Sequence, residues 1–333
     1  MNPALAVALA LLMFSTSTFA HHGVASLGAA ALDAPGAPVE TSSSATLPAG
    51  RWLAFLKIDH AESKTGLVAP PESDSNQYWM LGLGYGFKPW LSGYVLQPYN
   101  IKKDTAGGLD SRGWADASLV GVLGFKYDQG FLLAPGNESL DDLMDWHFTL
   151  YGGASLPSGD ANHRLADGTI DPGKSLGFGK ASFTLGATAS RQFSDKATAT
   201  FEVGRMRFQN HDYAADADFP AGGRRMQFGA ESRVNAALSY RLLTVPERRF
   251  RLDGNLEANY LALGRDISQA GAEPASGGKM LYAVAGVRLY QDKLSLGLAL
   301  KKPVWTRLNE ESQQQGSEGK EKFRLIATFS ALF

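Results

Sequence analysis

The most constraining feature of this sequence is an alternation of apolar and polar residues that recurs over most of the chain. Within residues 226–242, every second position is apolar or small, as at Val234 and Leu238, whereas the intervening positions include Glu231 and Arg233. Successive side chains of a β-strand point to opposite faces. The pattern therefore predicts a strand with one apolar and one charged face, and helical periodicity is nearly absent from the same part of the chain.

Twelve segments alternate in this way, and together they predict an all-β protein whose antiparallel strands form a single transmembrane β-barrel. The predicted strands begin near Arg51, Gln77, Trp90, Trp114, Trp146, Lys180, Ala197, Met226, Phe250, Met280, Leu294 and Lys322. Each spans roughly 10–13 residues, which exceeds the ~5–6 residues usual in soluble sheets and suits a tilted bilayer crossing. Many apolar faces begin or end in an aromatic residue, as the interfacial girdles of membrane barrels do.

The connections between the predicted strands alternate in length. Short turns occur at residues 88–89, 194–196, 244–249 and 291–293, and long polar loops at 61–75, 100–113, 158–179, 209–225, 265–279 and 307–321. Bacterial outer-membrane barrels have this rhythm, with short periplasmic turns and long extracellular loops. Residues 128–145 are the exception, because this nominal turn is too long, and a helical turn is predicted at residues 140–143.

The two ends of the chain carry features of export and assembly. Residues 1–20 contain an apolar run followed by small residues up to Ala20, which predicts a cleavable signal peptide. Residues 21–50 are rich in Ala, Gly, Ser and Pro, and they either enter the lumen as a plug or remain in the periplasm. The barrel then occupies residues 51–333. Its last strand carries Phe329 and Phe333 on the apolar face, which resembles the signal recognised by the barrel-assembly machinery.

Composition excludes several other classes of function. The chain of 333 residues contains no cysteine, so disulfides, cysteine-ligated zinc and thiol catalysis are excluded. A formal net charge of -1 gives no support for nucleic acid as a partner. The expected partners are instead outer-membrane lipid, the assembly machinery and a small solute, and no cofactor is expected.

Ionisable residues at the polar positions of the predicted strands are expected to line the lumen. They are Asp116, Lys126, His147, Glu202, Glu231, Arg233, Arg241, Arg251, Asp253, Glu257, Lys301, Lys322 and Arg324. Opposite charges recur two residues apart on neighbouring strands, in Glu231/Arg233 and in Arg251/Asp253, which predicts a cross-strand network of ion pairs. The balance of charge argues against a strongly ion-selective pore, which would show a ring of one sign.

Several short stretches of the barrel region resemble a known family. Leu-Pro-Ser-Gly-Asp at residues 156–160 resembles the Leu-Pro-Thr-Gly-Asp stretch of the outer-membrane transporters associated with the meta-cleavage pathway of phenol degradation. Residues 113–116, 286–290 and 302–304 fit the same family, with Ser158 and Ala285 where the family has Thr and Pro. The resemblance covers roughly residues 51–333. It implies a barrel that transports small, hydrophobic or aromatic compounds.

Three motifs suggest other chemistry. Residues 168–175 match the phosphate-loop pattern G-x-x-x-x-G-K-S, but no strand precedes them and no helix is predicted after them, so nucleotide binding is not expected. His21 and His22 are weak candidates for a metal site at the mature N-terminus. His147 has no nucleophile motif to serve, so an ordinary lumen histidine is favoured over a catalytic one.

The predicted function is therefore passive passage of a small solute across the bacterial outer membrane, by a protein that is not an enzyme. Two alternatives stay open. One is a barrel enzyme that acts on lipid, and the other is a structural or adhesive barrel that binds a partner through its extracellular loops.

Overall fold

The computed structural model describes residues 36–64, 66–69, 71–105, 107–127, 130–133, 144–316 and 318–333. Its strands are β1 (Trp52–Ser63), β2 (Ser75–Lys88), β3 (Leu91–Lys103), β4 (Ser111–Trp114), β5 (Ser118–Tyr127), β6 (Phe131–Leu133), β7 (Trp146–Ser155), β8 (Ser182–Gln192), β9 (Ala197–Arg207), β10 (His211–Tyr213), β11 (Arg224–Gln227), β12 (Glu231–Val245), β13 (Phe250–Leu263), β14 (Ile267–Ser268), β15 (Gly271–Ala272), β16 (Gly278–Gln291), β17 (Leu294–Leu308) and β18 (Glu321–Leu332). A 3-10 turn lies at Pro246–Arg248. The predicted signal peptide, His21, His22 and the helical turn at 140–143 lie outside the described residues.

The long strands form one closed antiparallel barrel. Neighbours follow the order β4-β3-β2-β1-β18-β17-β16-β13-β12-β9-β8-β7-β5, and β3 pairs with both β4 and β5, which together make one interrupted wall strand. The wall therefore has twelve strands, as predicted. The first and last strands close it: Leu56 lies opposite Phe329, and the backbones of Trp52 and Phe333 exchange hydrogen bonds of 2.8 and 2.9 Å.

Opposite faces of the wall differ in the way that the alternation predicts. The outward face exposes large apolar side chains, and Leu185 and Leu256 are 68% and 63% exposed. Contiguous apolar surface on this scale is not stable in water. The inward face is buried and carries many polar groups, among them Lys57 and Asp253. A closed wall that is apolar outside and polar inside leaves no unpaired sheet edge and is the architecture of a membrane barrel.

Three details of the strands differ from the sequence-based expectation. The eighth wall strand begins at Glu231, not near Met226, because Met226 and Phe228 are buried beneath the extracellular loops. The fourth is interrupted between β4 and β5. Lys322 is exposed, because a bulge at the Glu62/Ser63 position gives the inward place to Glu321.

Among the described residues, no helix is long and apolar enough to cross a membrane.

Candidate functional site: the lumen of the barrel

Residues 36–48, which we call the inner segment, precede β1 and lie inside the barrel. Eleven of these thirteen residues are buried, and Thr46 and Pro48 are partly buried. The segment contacts inward-facing side chains of β13, β9, β8 and β3, and it therefore crosses the lumen from one side of the wall to the other.

Carboxylates of the wall satisfy the backbone of the inner segment. The amides of Val39 and Glu40 donate to Oε1 of Glu257 at 2.8 and 2.9 Å, and the amide and hydroxyl of Thr41 donate to Oε2 at 2.7 and 2.6 Å. Ser42 donates its amide and hydroxyl to Glu202 at 3.0 and 2.7 Å. The backbone of the inner segment is irregular and has no strand partner, so its buried N–H groups need such acceptors.

An ion-paired cluster fixes the middle of the inner segment. The buried carboxylate of Glu40 accepts from Lys57 of β1 at 2.7 Å and from Lys301 of β17 at 2.9 Å. At the beginning of the segment, the amide of Gly36 donates to Asp253, which also pairs with Arg251 at 2.7 Å. Removing one partner of such an ion pair is costly, because the charge of the other partner stays buried without compensation.

Two glycines of the wall allow the inner segment to approach closely. A Cβ on Gly86 would lie 2.1 Å from the carbonyl oxygen of Pro48, and a Cβ on Gly124 would lie 2.7 Å from the side chain of Thr46. Any larger residue at these positions would displace the segment.

Among the described residues, a polar and an apolar chamber lie in the extracellular half of the lumen. The polar chamber has a cavity volume of about 50 Å³, and its lining includes Asp59, Arg233, Asn235, Asn259, Lys301 and Arg324. Its charges are paired: Arg324 lies 2.9 Å from Asp59 and 3.2 Å from Glu321, and Arg233 lies 2.8 Å from Glu231.

The second chamber is mainly apolar and has a cavity volume of about 20 Å³. Its apolar lining includes Met80, Leu96, Pro98, Val120, Ala154 and Met206, and Ser118, Ser155, Ser182 and Thr184 add hydroxyl groups at its edge. Tyr78 of β2 lines both chambers. The lumen thus offers a small apolar surface beside a charged, internally neutralised one, and flexible methionine side chains at the apolar side can adapt to different shapes.

The interruption of the wall lies next to the apolar chamber. The amide of Ala115 donates to the carbonyl of Pro98 at 2.9 Å, and the Gln97 side chain donates to the carbonyl of Ala115 at 2.9 Å. Since proline has no N–H, β3 cannot donate a ladder hydrogen bond at Pro98, and such residues are found where a sheet is interrupted.

Two stretches singled out by the sequence meet at this interruption. The carboxylate of Asp116 accepts from the amides of Gly159 and Phe178, both at 2.8 Å, and the hydroxyl of Ser158 accepts from the amide of Ala117 at 2.8 Å. Residues 113–116 and 156–160 therefore form one contact. Asp116 fixes the loop between β7 and β8 at the extracellular end of the lumen.

That loop, with the neighbouring long loops, forms a cap over the barrel. Lys174 pairs with Asp104 at 2.8 Å, Lys102 donates to the carbonyl of Gly173, and the amide of Ile170 donates to Asp216 at 2.7 Å. The residues of the phosphate-loop pattern, 168–175, thus make contacts between loops. No helix follows it in the described residues.

One carboxyl group of the cap titrates in an unusual range. Burial, together with the nearby carboxylate of Glu72, raises the pKa of Asp171 to about 7. The Asp171 carboxylate also accepts from the amide of Gly173 at 2.8 Å. The cap therefore contains a group whose charge changes near neutral pH.

The remaining predicted lumen residues are dispersed along the wall. His147 and Lys126 lie opposite each other on β7 and β5, and His147 is 9% exposed, inside the barrel and away from lipid. Arg241 lies at a bulge near the periplasmic end of β12. Glu231 pairs with Arg233 and Arg251 pairs with Asp253, each within one strand, where the sequence predicts pairing across the two strands.

Sequence reasoning missed several residues that the structure places in the lumen. They are Glu40, Lys57, Asp59, Arg288 and Glu321, all of them buried. A signal for two of them exists in β1, where Lys57 and Asp59 share the parity of Leu53 and Phe55. Because both faces of β1 begin apolar, its alternation is weaker than that of β12.

No family model matches the sequence, and no curated protein matches it. The fold is similar to that of the COG4313 outer membrane channel from Pseudomonas putida F1, with a TM-score of 0.66 and 14% identity over 89% of this chain and 100% of the other. The β domain of the Bordetella autotransporter BrkA is less similar, with a TM-score of 0.45 and 12% identity over 86% of this chain and 100% of the other. The TodX deltaS2S3 mutant monoaromatic hydrocarbon channel is also less similar, with a TM-score of 0.41 and 11% identity over 95% of each chain. The closed wall, its apolar outer face and its similarity to the first of these structures together identify the chain as a twelve-stranded bacterial outer-membrane β-barrel with the fold of the COG4313 channel.

Proposed function

We propose that this barrel lets a small, predominantly apolar solute cross the outer membrane passively. The observation that carries the proposal is the apolar chamber in the extracellular half of a lumen that is otherwise charged. Methionine, leucine and valine side chains line this chamber. Apolar solute surface that they remove from water favours binding by about 25 cal/mol per Å². The Pseudomonas putida F1 protein, which has a similar fold, is described as an outer membrane channel.

The inner segment supports a route that is closed at rest. It lies across the lumen and is bound by side-chain contacts to strands on different sides of the wall. We assign residues 21–50 as the periplasmic N-terminal part, with the inner segment as its plug. Passage then requires the plug to shift, which limits the leak of ions and water.

The test measures uptake of a small aromatic probe, N-phenyl-1-naphthylamine, by cells that express the protein. Expression is expected to accelerate the rise of probe fluorescence severalfold over cells that carry the empty vector. Met80→Trp fills the apolar chamber and is expected to return the rate to the vector level. Leu185→Trp adds the same ring on the lipid-facing side and is expected to leave uptake unchanged.

Equal uptake with and without the protein would contradict the proposal. Equal uptake by the wild type and by a correctly folded Met80→Trp variant would place the route elsewhere than the apolar chamber. Folding of each variant is checked by its heat-modifiable migration in gels, a property of intact barrels.

A further inference from the structure

A row of cross-strand partners lies on the lipid-facing side of the wall, near its extracellular end. We call it the cation row, and its members, in order around the wall, are Arg205, Ser232, Ala262, Lys279 and Arg307. Directly paired residues face the same side of a sheet. That side is the outside, because the sequence neighbours Met206, Met280 and Leu308 are buried in the interior.

Within this row, two like charges lie directly opposite each other. Lys279 of β16 pairs in register with Arg307 of β17, and both side chains are exposed. Like charges in this position destabilise a sheet unless an anion lies between them. Among the residues that the structure describes, no carboxylate forms an ion pair with Arg205, Lys279 or Arg307.

The middle of the cation row is flat. Ser232 and Ala262 carry the smallest side chains of the row and separate Arg205 from Lys279. With neighbouring strands ~4.8 Å apart, these two cations start about 14 Å apart along the wall. Their long side chains can therefore close on a group that rests on the small residues between them.

The next outward-facing row toward the periplasm is entirely apolar or aromatic. Its members are Val203, Val234, Tyr260, Leu281 and Trp305, which pair across the same five strands. Trp305 is 46% exposed. From the cap downward, the surface thus presents a row of cations and then a row with aromatic rings, as at the interface of a membrane leaflet. In the row beneath, Phe201 and three alanines lie outward together with Lys302, which pairs with Ala283 and is exposed.

We propose that the cation row binds the phosphate groups of an anionic glycolipid in the outer leaflet, whose acyl chains lie on the apolar row beneath. Charge complementarity and position select this occupant. The cations project from the lipid-facing wall, directly above the apolar band, where the headgroups of the outer leaflet lie. Arginine offers paired donors to phosphate oxygens, and lysine adds a second charge.

The experiment titrates the purified, delipidated protein in a neutral detergent with bisphosphorylated lipid A and follows the complex by native mass spectrometry. The wild type is expected to form a stoichiometric complex, and dephosphorylated lipid A is expected to bind more weakly. Lys279→Gln with Arg307→Gln is expected to raise the apparent Kd about tenfold or more, since each basic residue near an anionic headgroup adds to the affinity.

Two further variants separate the row from general charge and from misfolding. Ala262→Trp keeps every charge but fills the flat middle, and it is expected to weaken binding as well. Lys88→Gln with Lys196→Gln removes two charges from the periplasmic turns and is expected to bind like the wild type. The proposal is overturned if the Lys279/Arg307 variant binds as tightly as the wild type, if both double variants weaken alike, or if dephosphorylated lipid A binds equally well.

Discussion

Glu257 carries more contacts with the inner segment than any other carboxylate described above. Its two oxygens accept four hydrogen bonds, from the amides of Val39 and Glu40 and from the amide and hydroxyl of Thr41. A single side chain of β13 thus fixes three consecutive residues of the plug. Because these donors are buried away from water, each would be left without a hydrogen bond if this acceptor were lost.

Glu257→Gln is expected to destabilise the protein and to loosen the plug. The amide group of Gln replaces one acceptor oxygen by a donor, which leaves buried N–H groups unsatisfied and should lower the free energy of unfolding by about 2–4 kcal/mol. Urea titration in vesicles measures the stability, and planar-bilayer recording should show longer open periods. Glu247→Gln, in an exposed turn, is the matched control, and equal behaviour of the two variants would contradict the role of Glu257.

At the scale of residues, the sequence predicts parity but not partnership. Glu202 and Glu257 could be assigned to the polar face from alternation alone. Their partners could not, because the backbone amides of Val39 and Thr41 carry no sequence signal. The parity itself fails at Lys322, where a bulge shifts the register by one residue.

The inner segment is the element whose removal should have the largest effect on conductance. Replacing residues 36–48 by a Gly-Ser linker of equal length removes Glu40 and every contact with Glu202 and Glu257. The single-channel conductance is then expected to rise severalfold in planar bilayers. The same replacement at residues 269–274, in a mostly exposed loop, should leave it unchanged, and an unaltered conductance without the segment would show that it does not obstruct the lumen.

The cap is expected to loosen as pH rises through neutrality. Asp171 has a folded pKa of about 7 against an unfolded value of ~3.9. The folded cap therefore binds a proton that the unfolded loop has lost, so its stability is full below pH ~4 and falls as pH rises toward and through 7. Glu72 adds to the shift, while Lys102, Lys174 and Arg224 oppose it, and the phenol of Tyr213 lies close by.

Hydrogen exchange at residues 168–175, corrected for the intrinsic rate, measures this dependence between pH 5.5 and pH 8. Protection is expected to fall with pH in the wild type and to become flat in Asp171→Asn. Asp195→Asn, in a periplasmic turn, should retain the wild-type profile. A profile that survives in Asp171→Asn would assign the effect to another group.

Elements were predicted well where alternation was long and poorly where loops pack against the wall. All twelve wall strands and the rhythm of long and short connections follow from the sequence. Met226 and Phe228 continue the alternation of β12, yet they pack with Phe208 and Tyr213 beneath the cap. Apolar spacing records that a side chain is shielded from water, and it does not distinguish lipid from a neighbouring loop.

At the scale of the whole molecule, the seam that closes the barrel extends from Ser63 and Glu321 to Trp52 and Phe333. Phe333 accepts from the amide of Trp52 and donates to its carbonyl, so the terminal backbone completes the seam between β18 and β1. We propose Phe329 and Phe333 as the assembly signal. Phe333→Ala is expected to reduce the yield of heat-modifiable barrel in the outer membrane severalfold, whereas Phe201→Ala, which removes a similarly exposed ring from β9, should have little effect. Equal yields would remove Phe333 from the signal.

The pairing of Glu40 has a consequence for the lumen once the inner segment moves away. Lys57 and Lys301 lie on the two strands that flank β18, and Glu202 and Glu257 lie on the two that flank β12. These sectors are four strands apart around a wall of twelve. Loss of Glu40 would leave cations on one sector and carboxylates on the other, and so create a transverse electric field across the open lumen. Such a field orients a solute that has a dipole. The barrel can then select solutes by the direction of the dipole as well as by size.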